Sequence, residues 1–284
     1  MLERGLNPPE IIEPGRFYRF PGRDKRSTNR AGWCIRFPDG LGGTFGDWSS
    51  DLRVDWHARR DRPLSRSEHA ARERQLRAAR AAAAAEQRAS QAQAANRAFH
   101  IWERSAPASA SHPYLRRKRI LAHGARLSKG ALVLPVTNFS GQLTSLQFIG
   151  QSGSKRLLSG GRKQGCCIRV AGDNVAPTRV IVCEGWATGC TLAEDDPDAT
   201  VLAAIDSGNL ESVAIGARQR WPMCDLVVAG DDDRLSVNNL GASKAQAAAV
   251  SSGALLALPQ WPEFAPQHLS DFNDLAVWLA GDVR

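Results

Sequence analysis

Three groups of acids, each closing or following a short apolar run, are the residues of this 284-residue chain best suited to chemistry. Arg179-Val-Ile-Val-Cys-Glu184-Gly185 is the first, Leu226-Val-Val-Ala-Gly-Asp231-Asp232-Asp233 the second, and Asp271-Phe-Asn-Asp274 the third. A β-branched run that stops abruptly at carboxylate is what a buried parallel strand looks like when it delivers acids to its carboxyl end. Carboxylates gathered there repel one another unless a cation sits among them, so the pattern implies a Mg²⁺ site that Mn²⁺ could also fill. In an extended segment Asp231 and Asp233 share a face, which makes them the metal ligands, while Asp232 points away to cap the next turn or meet a second metal. Asp274, with Asp271 as the weaker candidate, could complete the cluster. Taken singly, a Glu-Gly is ordinarily a turn, and an Asp-rich loop or Asp-Phe-Asn-Asp can be a helix start.

Phosphate would be met by a second set of residues. Gly153-Ser-Lys155-Arg156-Leu-Leu-Ser159-Gly-Gly-Arg162-Lys163-Gln-Gly165 offers backbone N–H groups and cations without a Walker loop. Lys155, Arg156 and Lys163 are therefore candidates to hold a triphosphate or a template. Upstream, His112-Pro-Tyr114-Leu115 runs into Arg116, Arg117, Lys118 and Arg119. Four consecutive cations cannot share one helix face, so some must meet solvent or a ligand. The charge is divided along the chain: residues 1–130 carry a net +13 and residues 131–284 a net −5, giving the overall +8. A basic front and an acidic back suit polyanion binding joined to a metal-dependent centre, although Arg-rich composition alone would give the same front.

The elements that position these groups follow from periodicity. From residue 178 onward, strand-like runs at 179–183, 200–205, 225–229 and 254–258 alternate with helix-like stretches at 186–194, 209–219, 240–251 and 272–280. Such alternation predicts a parallel sheet flanked by helices, an α/β fold whose ligands gather at the strands' carboxyl ends. Asp206-Ser207-Gly208 forms a loop after the second strand, structural or substrate-adjacent. Ahead of this region, residues 107–177 read as a small mixed α+β basic subdomain with a hairpin through Asn138-Phe-Ser-Gly141. Residues 63–106 hold an Ala/Arg-rich tract, with Ala81 to Ala85 at its centre, that predicts a long, largely exposed helix acting as a semi-rigid arm. Residues 1–62 read as a small β-rich module in which Arg16, Arg19, Arg23, Lys25, Arg26 and Arg30 interleave with Phe17, Tyr18, Phe20 and Trp33. Those rings could stack bases of a single strand, or form the only core so small a module can have.

Several chemistries find no support. None of the six cysteines stands in a Cys-x-x-Cys pair, so no zinc site is expected, and free buried thiols are. There is no Gly-x-x-x-x-Gly-Lys-Ser/Thr, Gly-x-Ser-x-Gly or His-Glu-x-x-His. No run of 18 apolar residues and no signal-like amino terminus occurs, which makes a cytoplasmic protein without membrane contact the expectation.

The lone Glu184-Gly185, then Asp231-x-Asp233, then Asp271-Phe-Asn-Asp274, spaced by β/α units, resembles the Toprim domain of bacterial, plasmid and phage primases. Tyr114-Leu-x-x-Lys118-x-Ile120 and the basic segment at Lys155 resemble elements of the same catalytic core, with one departure: the usual Lys-Tyr is here Lys155-Arg156. Gly46-Asp47-Trp48 extends the resemblance weakly into the amino-terminal module. The resemblance implies a Toprim primase of plasmid, phage or integrative-element type, making short RNA primers from NTPs on single-stranded DNA with Mg²⁺. It gives Glu184 the role of general acid/base or metal-proximal catalyst, and leaves any helicase or single-strand-binding protein as a separate partner. A Toprim nuclease and a non-catalytic single-strand-binding adaptor are the alternatives.

Overall fold

Four strands of the amino-terminal segment, β1 (Phe17–Phe20), β2 (Gly32–Arg36), β3 (Gly42–Asp47) and β4 (Leu52–His57), pair antiparallel in chain order. Strand alternation sends Phe20, Cys34 and Phe45 to one face, where they bury Leu6. The other face carries Phe17, Trp33 and Trp48, with Phe17 stacked at 5.8 Å on Trp33 and at 6.2 Å on Trp48. Arg19 lies over Trp48 at 4.7 Å. The Gly46-Asp47-Trp48 element has a local cause. A side chain at Gly46 would strike the Trp33 ring and the Leu52 carbonyl. Asp47, fully buried, accepts the N–H groups of Arg23 and Ser49, each at 2.8 Å, and so supplies partners to a loop that has no ladder.

Helix α1 (Arg66–Glu103) begins with a reciprocal cap: Ser65 Oγ accepts the Glu68 N–H and the Glu68 carboxylate accepts the Ser65 N–H at 2.8 Å. Its alanines do more than favour helix. Arg72 reaches His57, Arg80 reaches Asp55, and Ser90 and Glu86 meet Arg19, while Ala79 and Ala83 between them are buried. The predicted free arm is therefore a helix laid along the β-module, because a stripe without long side chains lets a sheet approach. The computed structural model describes residues 1–50, 52–58, 63–172, 175–236 and 238–281. Within them the chain forms two compact units, Met1–Gln93 and Ala94–Arg284. The sequence boundary near residue 62 lies outside the described residues.

The second unit holds two sheets. Strands β5 (Ala106–Pro107), β6 (Arg126–Ser128), β7 (Ala131–Thr137), β8 (Leu143–Ile149) and β9 (Lys155–Leu157) form an antiparallel sheet in chain order, and α2 (Pro113–Lys118) sits between β5 and β6 in sequence. Ala98, with Ile101 and Trp102 of α1, packs on one face of it against Val133, Leu146 and Phe148. The other sheet comprises β10 (Ile168–Ala171), β11 (Arg179–Cys183), β12 (Thr200–Ala203), β13 (Asp225–Ala229) and β14 (Leu255–Ala257), ordered β10-β12-β11-β13-β14. Its strands are parallel except β10, an antiparallel edge contributed from before residue 178. Val180, Val182, Leu202, Leu226 and Val228 face α4 (Ser207–Arg220) and α5 (Leu240–Ser252). Ile181, Cys183, Val201 and Ala203 face the layer containing α3 (Trp186–Asp195) and α6 (Phe272–Leu279). All six cysteines are free and buried. Among the described residues no helix is long and apolar enough to cross a membrane.

Trp186 is the largest side chain of that second layer, 1% exposed and stacked at 6.5 Å on Tyr114. Trp186→Ala removes a ring that nothing nearby can replace, and should lower unfolding stability by about 3–5 kcal/mol. Urea titration of the purified protein checks this; a loss under about 1 kcal/mol would mean that the layer collapses readily around the hole.

Candidate metal and nucleotide site

The chain leaves β11 for β12 on one side and later returns to β13 on the other, which opens a crevice above the carboxyl end of β11. Glu184 follows β11, Asp206 follows β12 and Asp231 follows β13, so three adjacent parallel strands aim an acid at one place. Asp233 is held on the same loop. Its Oδ2 accepts the Gly241 N–H at 3.0 Å, and a side chain at Gly241 would strike both that carboxylate and the Asp231 carbonyl. Glycine at the start of α5 is what lets the acid loop close on the helix.

The electrostatics show how closely these groups sit. Asp231 is half-buried, and its Oδ1, shielded from solvent, finds no hydrogen-bond partner among the described residues. Burial, then repulsion from Glu184, Asp271 and Asp233, pushes its carboxyl up to about 8, against the pull of Lys155. Glu184 is raised by burial and by Asp206 and Asp233, offset in part by a hydrogen bond from the Ser207 N–H and by Lys155. Asp271 is raised by burial and by Asp274, against Lys118 and hydrogen bonds from the Asp274 N–H and Thr188. Two acids, Asp231 and Glu184, raised by burial and by their acidic neighbours, and one oxygen without a partner describe a place where a cation is wanted. Among the described residues no three His, Cys, Asp or Glu side chains close into a ready-made cage.

Placement of the remaining residues is less uniform. Asp232 turns away from the cluster to accept Trp261 Nε1 at 2.8 Å and Asn239 Nδ2 at 2.6 Å. Asp271, as N-cap of α6, stands behind Asp231, whereas Asp274 is turned to Lys118 at 2.9 Å and to the Ser270 N–H. The sequence ranked those two in the opposite order. The reason is the cap, whose side chain must fold back over the helix start. Lys155 and Arg156 point to opposite faces of β9: the Lys155 ammonium lies beside Gly185 and acts on both Glu184 and Asp231, while Arg156 stacks at 4.1 Å on Phe148. Lys163 binds both oxygens of Asp206, at 2.8 and 3.0 Å. Arg117 reaches the Gln151 carbonyl at 3.1 Å, Arg119 the Ala280 carbonyl at 3.3 Å, and Arg116 is exposed at the end of α2. In the amino-terminal unit Trp33 is core, and Arg19 is occupied by Trp48, Arg30 and Ser90.

Three participants were not among the sequence's site candidates: Asp206 and Ser207, given there as a loop either structural or substrate-adjacent, and Thr188. Asp206-Ser207 did show a signal, since an Asp between a strand and a helix is where a parallel sheet presents its acids. Thr188 showed none.

A family model of the Toprim domain matches residues 179–278. DNA primase TraC of Escherichia coli is 31% identical over 298 residues, a stretch covering 96% of this chain and 28% of that protein. A second DNA primase TraC of Escherichia coli is 36% identical over 172 residues, 57% of this chain and 12% of that protein. The chain thus spans under a third of the length of these relatives. A solved DnaG primase catalytic domain bound to ssDNA superposes with a TM-score of 0.45 at 13% identity, over 69% of this chain and 77% of that one, too loosely to bear on fold or chemistry. The matched stretch, 179–278, is the one whose parallel strands bring Glu184, Asp231 and Asp233 together, and that stretch is similar to a Toprim domain.

Proposed function

We propose that this protein is a DNA primase-type nucleotidyltransferase that makes short oligoribonucleotides on single-stranded DNA from NTPs, with Mg²⁺ held in the acid crevice. The observation that carries this is the partnerless Asp231 oxygen, set among Glu184, Asp233 and Asp271 at the switch point of the sheet. The similarity to DNA primase TraC along nearly the whole chain supports the choice of reaction.

Asp231 and Asp233 would hold the ion, with Asp271 behind them. When bound, Mg²⁺ supplies neutralising charge for the reacting phosphate and makes a nearby hydroxyl more acidic. Glu184, its proton affinity raised by burial and neighbouring acids, is suited to accept the proton of the 3′-hydroxyl. Lys155, between Glu184 and Asp231, is placed to meet phosphate oxygens. Arg116 is exposed on the segment that would track the template. A helicase or single-strand-binding protein would act as a separate partner.

The test is incubation with single-stranded DNA, all four NTPs, labelled ATP and Mg²⁺, with the Asp231→Asn/Asp233→Asn double variant alongside. Short labelled products from the unaltered protein alone are expected. Intact DNA with tight binding and no product would replace the proposal by a binding adaptor, and shortened DNA by a nuclease.

A further inference from the structure

Asp206 has a placement that the fold goes out of its way to secure. It follows Ile205, whose φ of 82° lies where β-branched residues are rarely found. Ile205 is also buried in the core, so packing holds the strained turn in place. The turn delivers the Asp206 carboxylate to Lys163. The next residue, Ser207, gives its N–H to Glu184. A single helix start thus carries the catalytic carboxylate on its backbone and a lysine on its cap side chain.

This ion pair is not what attaches the lysine's segment. Asn209, fully buried, accepts the Gly165 N–H at 2.9 Å and donates to the Cys166 and Ala204 carbonyls at 2.8 and 2.9 Å. Gln164 reaches Ser212 Oγ, and Thr144 Oγ1 donates to the Arg162 carbonyl. Residues 162–166 are therefore held by α4 and β8 without help from the Lys163 side chain. A pair whose side chains are 29% and 45% exposed adds little stability, so its geometry needs another reason.

We propose that Asp206 is a positioning residue. It holds the Lys163 ammonium one carboxylate away from Glu184, ready for an oxygen of the incoming nucleotide's triphosphate, and acts on nucleotide binding through Lys163. The inference rests on the nucleotidyl-transfer function proposed above. Lys163 keeps three donors, of which Asp206 takes two, so a phosphate oxygen can be met without breaking the pair.

The test compares Asp206→Asn, Lys163→Met, their double variant and Asp206→Glu in two measurements: equilibrium binding of ATP with Mg²⁺, and KM and kcat for ATP in primer synthesis. Asp206→Asn and Lys163→Met should each weaken ATP binding and raise KM about tenfold, the size of one charge-assisted contact. Any change in kcat for Asp206→Asn should come with a shift of its pH profile to lower pH, because Asp206 also raises Glu184. The double variant should be no worse than Lys163→Met, since both remove one contact. Asp206→Glu should recover most of the affinity, which a loss of folding would not allow. Normal ATP affinity in Asp206→Asn, additive losses, or an effect confined to kcat overturns the proposal while synthesis by the unaltered protein stands. An unaltered protein that neither binds ATP nor makes product overturns the proposed function, and this inference with it.

Discussion

Asp231→Asn is expected to give a protein that resists unfolding better than the unaltered one and makes no primers. The two effects have one cause. In the unfolded chain Asp231 titrates near the ordinary 3.8, whereas in the fold it holds its proton up to about 8. Between those values the folded state binds a proton that the unfolded state has released, so metal-free stability falls as pH rises from about 4 to about 8 and levels off above. Glu184 and Asp271 are raised as well and steepen the fall. For Asp231 alone the loss over that window is at most about 5 kcal/mol. Asparagine has nothing to ionise, so by pH 8 the variant should lose fewer degrees of melting temperature than the unaltered protein, keeping only the part of the loss due to Glu184 and Asp271. Mg²⁺ should restore the unaltered protein and not the variant, and its binding at pH 7 should release protons, measurable by calorimetry in buffers of different ionisation enthalpy. Synthesis should fall on the order of 10³-fold or more, because the ion loses its best-placed ligand. Equal pH–stability curves for the two proteins would show that Asp231 is not the strained acid of this site.

Glu184→Gln should remove synthesis by a different route. The amide keeps the shape and the contact with α4 but cannot take a proton, so the rate should drop on the order of 10³-fold, the usual worth of a placed general base. Single-strand binding should change less than about twofold, since the cations on α2 and β9 are untouched. The substitution also removes the largest neighbouring charge acting on Asp231, so Mg²⁺ should compete with a weaker proton and bind at lower pH. Products at more than a tenth of the normal rate would take Glu184 out of proton transfer.

The parallel sheet was legible because its central strands, β11, β12 and β13, are short, mostly apolar runs ending at a turn, and a pattern of that kind depends on nothing distant. Glu184 and Asp231 could be paired for the same reason: both end adjacent strands. What escaped is what depends on partners far away in the chain. Lys163 and Asp206 meet across 43 positions, and Lys118 and Asp274 across 156. No local pattern tells which cation will be taken by which acid. Strand β9, three residues long and half exposed, has too little apolar alternation to read, so the opposite facing of Lys155 and Arg156 stayed hidden. The aromatic residues of the amino-terminal module carried two meanings in sequence, and burial decides for core at Phe20 and Trp33.

Strand β10 bears on how such a protein can be divided. Both the strand–helix alternation from residue 178 and the Toprim match from residue 179 start after β10, which pairs with β12 and continues, through the Thr137–Cys167 bridge, into the antiparallel sheet. A fragment cut at Arg179 would expose the edge of β12 and strip Ile168 and Val170 from the core beneath α3. The stretch that can be recognised by descent is therefore smaller than the stretch that can fold. Any exchange of this catalytic segment between genes must carry its upstream neighbour along, and an expression fragment should begin no later than the start of the second unit at Ala94.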